Sequence, residues 1–180
     1  AALEAVRLAS AFFGKGQFKG DALQVKDGLY LLQQNFEGPY FQPLPAEQLQ
    51  QEGNWSDGNR RLRPQSEIQR LQAQVSVAES DGRFELTFTI QGTENVPVAI
   101  ELAFREGGRL QGVTGLADID RGYLLEKGMG KYSYDGKEIE FGPGLADHRW
   151  TQLRGSLPKM NSLSVYVTGF TPFLYRLKIS

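Results

Sequence analysis

Residues 71–104 read LQAQVSVAESDGRFELTFTIQGTENVPVAIELAF, and their pattern decides the fold. Leu71, Ala73, Val75 and Val77 alternate with polar residues as far as Ser80-Asp81-Gly82. Phe84, Leu86, Phe88 and Ile90 alternate on the way back, and Val96, Val98, Ile100, Leu102 and Phe104 repeat the pattern a third time. A period of two sends successive side chains to opposite sides of an extended chain. The stretch therefore predicts an antiparallel meander with one face buried. Asp81-Gly82 suits a two-residue hairpin turn, whose central positions need positive φ, and Asp27-Gly28 and Asp135-Gly136 repeat that signal.

Downstream, Gly107-Gly108 turns the chain into Leu110 to Val113. Tyr132 and Tyr134 face Ile139 and Phe141 across Asp135-Gly136. The end of the chain offers Leu163, Val165 and Val167 and then, after Pro172, Phe173, Tyr175, Leu177 and Ile179. Closely spaced turn signals over so long a stretch predict an all-β antiparallel sandwich, jelly-roll-like, of about ten to twelve strands. Upstream the texture differs. Leu3, Val6, Ala9 or Ser10, and Phe13 fall at three- and four-residue intervals, widened by Leu8 and Phe12 and stopped by Gly14 and Gly16. That spacing predicts a short N-terminal helix over 1–14, which either caps the β domain of residues 15–180 or ends a helical domain preceding it. Residues 38–54, GPYFQPLPAEQLQQEGN, are expected to be irregular because Pro43 and Pro45 break a strand, and NWSDGNRRLRPQSE continues as a polar loop.

Composition removes several classes of function. With 20 Lys and Arg against 21 Asp and Glu, the 180-residue chain has a formal net charge of -1, so no global field draws it to nucleic acid. No apolar run reaches the roughly 18 residues of a membrane span. The absence of cysteine excludes disulfides, thiolate nucleophiles, zinc-thiolate sites and iron-sulfur clusters. The chain opens at Ala1, with neither an initiator Met nor a signal-peptide pattern, and reads as a processed mature chain or a piece of something longer.

Four groups of residues are candidates for chemistry. His148 is the single histidine, in EFGPGLADHRW. As a general base it needs an orienting partner, and Asp147 adjoins it, although neighbours on a strand point to opposite faces. No G-x-S-x-G supplies a nucleophile, and a histidine whose nitrogens rest on backbone or water fits the same sequence. Asp118 and Asp120 in GLADIDRG could contribute oxygens to calcium, or be solvated turn residues; no other cofactor is indicated. Trp55, Tyr40 and Trp150 lie among polar residues, where an apolar ring can stack on sugar C–H groups or cover a sheet edge. Arg60, Arg61 and Arg63, with Arg70, form a local basic cluster able to pair with carboxylate, sulfate or phosphate, or with neighbouring acids such as Glu67.

The succession ASAFFGKGQF, GPYFQPLP, VAIELAFREGGRL, FGPGLADH, LRG and SVYVTGFTPFLYRLKI resembles the C-terminal β region of bacterial heparinase-like proteins. Those proteins join an α/α toroid to a β-sandwich and often process polysaccharides. The resemblance covers most of the chain and implies that residues 1–14 end the toroid. It also implies a secreted or periplasmic location and a sandwich that supports the helical domain and helps bind a poly- or oligosaccharide. The catalytic Tyr, His and Arg of such enzymes come mainly from the helical domain or the interdomain cleft, and no catalytic motif carries over. The leading expectation is a non-catalytic accessory domain of a polysaccharide-processing protein, contacting a partner domain or a glycan. A lyase or hydrolase is the alternative, with His148 as acid or base, Tyr132 or Tyr134 near it and Arg154 stabilising developing negative charge. A purely structural or protein-interaction domain is the third.

Overall fold

The computed structural model describes residues 2–13, 16–44, 62–153, 158 and 160–180. Its named elements are all strands, β1 to β13 in chain order. One sheet holds, side by side, β1 (Leu3–Ser10), β6 (Pro97–Phe104), β12 (Leu163–Phe170), β9 (Gly122–Leu124) and β8 (Thr114–Gly115). The other holds β2 (Ala22–Lys26), β3 (Leu29–Phe41), β4 (Gln65–Ser80), β5 (Arg83–Gly92), β13 (Phe173–Ile179), β11 (Lys137–Gly142), β10 (Gly130–Tyr134) and β7 (Arg109–Gln111). Neighbouring strands run antiparallel except β9 and β12, which are parallel. Among the described residues no helix is long and apolar enough to cross a membrane.

The meander and its turns follow from the alternation. Asp27-Gly28, Asp81-Gly82 and Asp135-Gly136 join β2 to β3, β4 to β5 and β10 to β11, and both residues of each pair have φ between 50° and 78°. A turn with both central residues left-handed matches the twist of the strands it joins. The apolar sets of the two sheets then face each other. Val98, Ile100, Leu102, Phe104, Val165 and Val167 from one meet Leu71, Val75, Phe88, Ile90, Phe141 and Leu177 from the other in a single core. The Phe104 ring lies 4.7 Å from Tyr132 and 4.9 Å from Phe141, so three rings of the two sheets interlock. This is a sandwich-like, all-β architecture. A jelly roll is built from two Greek keys; here four consecutive strands, β2 to β5, lie next to one another as a meander.

The helix expected over 1–14 is instead the edge strand β1, antiparallel to β6. Its register shifts between Leu3 and Ala5, so an extra residue, Glu4, bulges there. Leu3, Val6, Leu8 and Ser10 all stand opposite core-facing residues of β6, which are Phe104, Leu102, Ile100 and Val98. The three-residue step from Leu3 to Val6 is thus a strand period of two plus one bulged residue, which imitates the start of a helical stripe. A second difference lies at Gly38-Pro39, which β3 traverses without a break. Among the described residues β2 pairs only with Leu29 to Gln33, so Pro39 stands on an edge stretch of β3 next to an irregularity in its pairing with β4, the kind of place where a sheet tolerates proline.

Tyr175 and Tyr132 bury their rings in the core, with hydroxyls donating to the carbonyls of Pro143, at 2.5 Å, and Arg105. Burial pushes both hydroxyl pKa values above 10, because the phenolate loses hydration. The folded state therefore holds these protons where the unfolded chain releases them. Stability should be unaffected by these groups below about pH 10 and fall as pH rises beyond it. Urea titrations across that range should show the fall, shallower in Tyr175→Phe.

Candidate ligand surface

The second face of the smaller sheet is not open to solvent. Outward-pointing residues of β6 and β12, namely Ala99, Glu101, Ala103, Ser164, Tyr166 and Thr168, are all buried. Against them lie described residues between β11 and β12, from Leu145 to Gln152 and Pro158. Leu145 receives the Thr168 N–H at its carbonyl, 3.0 Å away, and Ala146 bridges to Thr168 in parallel, so the segment first extends the line of β9 along β12. Beyond His148 it crosses the sheet, because Thr151 and Gln152 line a small cavity with Arg7, Ala9, Ala99, Glu101 and Tyr166.

Under this segment Glu101 is the centre of a polar cluster. Its Oε2 accepts hydrogen bonds from Arg7 Nε, at 2.8 Å, and Nη2. Its Oε1 accepts from the Ser164 hydroxyl at 2.7 Å and the Tyr166 hydroxyl at 3.4 Å. Arg7 also donates to the Pro158 carbonyl at 2.9 Å, tying the cover to β1. Gln152 donates to the Tyr166 hydroxyl at 3.3 Å. Burial, and secondarily the Glu101 carboxylate beside it, raises the Tyr166 pKa, so this hydroxyl stays protonated as a donor. The cavity of about 20 Å³ has room for one water-sized molecule, and the buried Thr151 hydroxyl on its wall has no hydrogen-bond partner.

His148 sits where the segment leaves β12. Its Nδ1 accepts the Trp150 backbone N–H at 3.2 Å, which assigns the ring proton to Nε2. Nε2 then donates to the carbonyls of Val98, at 3.1 Å, and Gly169, at 3.0 Å. Thr168 adds a bond from its hydroxyl to the His148 carbonyl at 2.5 Å. Both ring nitrogens are thus engaged by main chain, with no lone pair left to take a proton from a substrate and no orienting contact from Asp147. Against this fixed ring stacks Trp150, with centroids 5.3 Å apart and planes at 28°, while Phe170 meets both rings edge-on. Trp150 is 61% exposed. Arg149, beside it, lies 3.5 Å from Glu126.

The other sequence candidates scatter. Tyr132 and Tyr134, stacked at 6.3 Å, belong to the larger sheet, and the Tyr132 ring is in the core on the far side of β6 from the covering segment, so neither joins His148. Trp55, Arg60, Arg61 and Arg154 lie outside the described residues. Tyr40 is exposed at a bulge near the end of β3, on the other sheet from Trp150. Arg70, from the basic cluster, pairs with Glu37 at 2.8 Å across β4 and β3. Asp118 and Asp120 are exposed, and Asp120 pairs with Arg121 at 3.0 Å. Among the described residues no group of three or more His, Asp or Glu could hold a metal ion. Glu101, Arg7, Ser164 and Tyr166 carry no local sequence signal, since their partners lie 63 to 94 residues apart.

The chain matches no family model, and neither curated proteins nor solved structures gave a match.

Glu101→Ala should destabilise the fold by up to about 3 kcal/mol, the low end for a buried pair, because it leaves the part-buried Arg7 guanidinium without its counter-charge. Glu101→Gln, which keeps an acceptor for Ser164, should cost less. Equilibrium urea unfolding of both variants tests the ordering.

Proposed function

We propose that this chain is a non-catalytic, sandwich-like accessory module of a polysaccharide-processing protein, and that it holds glycan on the ring of Trp150. The observation that carries the reading is an exposed tryptophan stacked on a histidine locked by three main-chain hydrogen bonds. A flat apolar ring suits the C–H face of a sugar, and a ring already fixed before binding loses little freedom on contact. Arg149, Gln152 and Asp147, all exposed nearby in the chain, supply donors and acceptors for hydroxyls. The engagement of both His148 nitrogens favours this reading over the lyase or hydrolase alternative. The resemblance to the sandwich region of heparinase-like proteins points the same way, with catalysis placed in a helical partner domain.

Affinity electrophoresis of the purified chain through gels containing neutral or uronate-bearing polysaccharides tests the proposal. The wild-type chain should be retarded by at least one of them. Trp150→Ala should weaken that retardation by about tenfold in apparent affinity, the scale of one lost stacking contact. Retardation unchanged in Trp150→Ala would remove the ring from function, and no retardation on any polysaccharide would remove glycan binding itself.

A further inference from the structure

The outer face of the larger sheet has a composition unlike an ordinary solvated surface. Register aligns Gln33, Gln74, Thr89 and Leu174 across β3, β4, β5 and β13. Because Leu71, Ala73 and Val75 of β4 are buried in the core, this row points away from it. One step along, Asn35, Gln72 and Gln91 form a parallel row, and Gln72 donates to Asn35 at 3.2 Å. On the other side Ser76 and Thr87 lead to Arg176. The middle of the face is therefore mainly amide and hydroxyl, with Leu31 and Leu174 at its two sides, and two border cations are paired within the face, Arg176 with Glu85 at 3.3 Å and Arg70 with Glu37 at 2.8 Å.

The far end of the same sheet serves as an internal control. There Lys131 stands 2.9 Å from Glu138 and 3.8 Å from Glu140, the charged ladder that a sheet face presents when it only has to stay in water. Across β3, β4 and β5 the lack of charge is confined to the three middle rows, with Glu37 and Arg70 one row beyond on one side and Glu85 one row beyond on the other. A shallow groove of about 430 Å³ also runs over that part, lined in part by Asn35, Glu37, Arg70, Gln72 and Gln91.

We infer that this face is a second binding surface, separate from Trp150, and that its ligand is an uncharged polyhydroxylated chain, a neutral polysaccharide. An amide offers two donors and an acceptor and a hydroxyl offers both roles, so each can match a sugar hydroxyl that also gives and takes a hydrogen bond. Lysine or glutamate in the same rows would lose hydration on contact with an uncharged ligand and regain nothing from it. An acidic glycan would find no free cation in the three middle rows, since Arg176 is paired with Glu85 and Lys26, Arg83 and Lys178, unpaired among the described residues, stand at one border of the face. The inference does not depend on Trp150, which lies on the outer side of the other sheet.

The test is affinity electrophoresis of the full chain on soluble neutral glucans, mannans and xylans at low and high salt, with Gln72→Ala/Gln91→Ala, Gln74→Lys and Trp150→Ala alongside. These substitutions sit on an exposed or half-exposed face, and circular dichroism and urea midpoints confirm that each variant folds. The expected result is retardation on a neutral glycan that salt leaves unchanged and that falls about tenfold in the double variant and in Gln74→Lys, by the same factor whether or not Trp150→Ala is also present. Retardation lost only in Trp150→Ala would overturn this inference while leaving the Trp150 reading standing. Retardation by uronate polysaccharides alone would overturn it too. A wild-type dimer in light scattering that Gln74→Lys dissociates would assign the face to a second copy of the chain and overturn the glycan assignment.

Discussion

Strand β6 is buried on both of its faces. From Val98 to Phe104 no residue is more than a tenth exposed, so neither side of this strand can be left to water. The inner side demands the larger sheet, which supplies it with Phe88, Ile90, Tyr132 and Phe141. The outer side demands a cover, and described residues between β11 and β12 lie against it. The position of His148 and Trp150 is a consequence of that second demand, since the residues that cross the outer face are held where the face needs them.

A strand sealed on both sides would ordinarily be apolar throughout. Glu101 breaks that rule and is accommodated by Arg7 directly opposite it on β1 and Tyr166 directly opposite it on β12. Removing a carboxylate and a guanidinium from water costs several kcal/mol per ion, and their mutual attraction offsets much of that only when the remaining oxygens are also bonded. Ser164 and Tyr166 meet that condition. The pair also fixes register. A slip of β1 by one residue would turn Arg7 into the core and bring Leu8 to the polar side, so the ion pair and the apolar set agree on a single alignment.

How far the chain could be read in advance depended on whether a signal was local. The meander over 71–104 and the three Asp-Gly turns were visible because period-two alternation and positive-φ turn residues act within a few positions. Strand β1 was misread for an equally local reason, its bulge at Glu4 having replaced one two-residue step by three. The covered outer face was invisible. In VAIELAF the residues between the large apolar ones are Ala99, Glu101 and Ala103, which look like a solvent side to any rule that sees one strand alone. The two alanines were the available hint, since so small a side chain lets another segment approach closely. Nothing local could join Glu101 to Arg7, 94 residues away.

His148 illustrates why residue type is a weak guide to role. A lone imidazole beside an aspartate reads as acid-base chemistry, but here its ring joins the carbonyls of two strands to the amide of its own loop. Val98 and Gly169 lie opposite each other on β6 and β12, so one Nε2 proton bridges the end of that strand pair. A side chain with a donor on one edge and an acceptor on the other is required to make that bridge and still receive the Trp150 amide. Neutral histidine meets the requirement, whereas lysine has no acceptor and a carboxylate has no donor. The exposed indole is thereby anchored through its own backbone and through the stacked ring beneath it. A surface ring held from two directions has lost its rotational freedom already, so contact with it costs little further ordering.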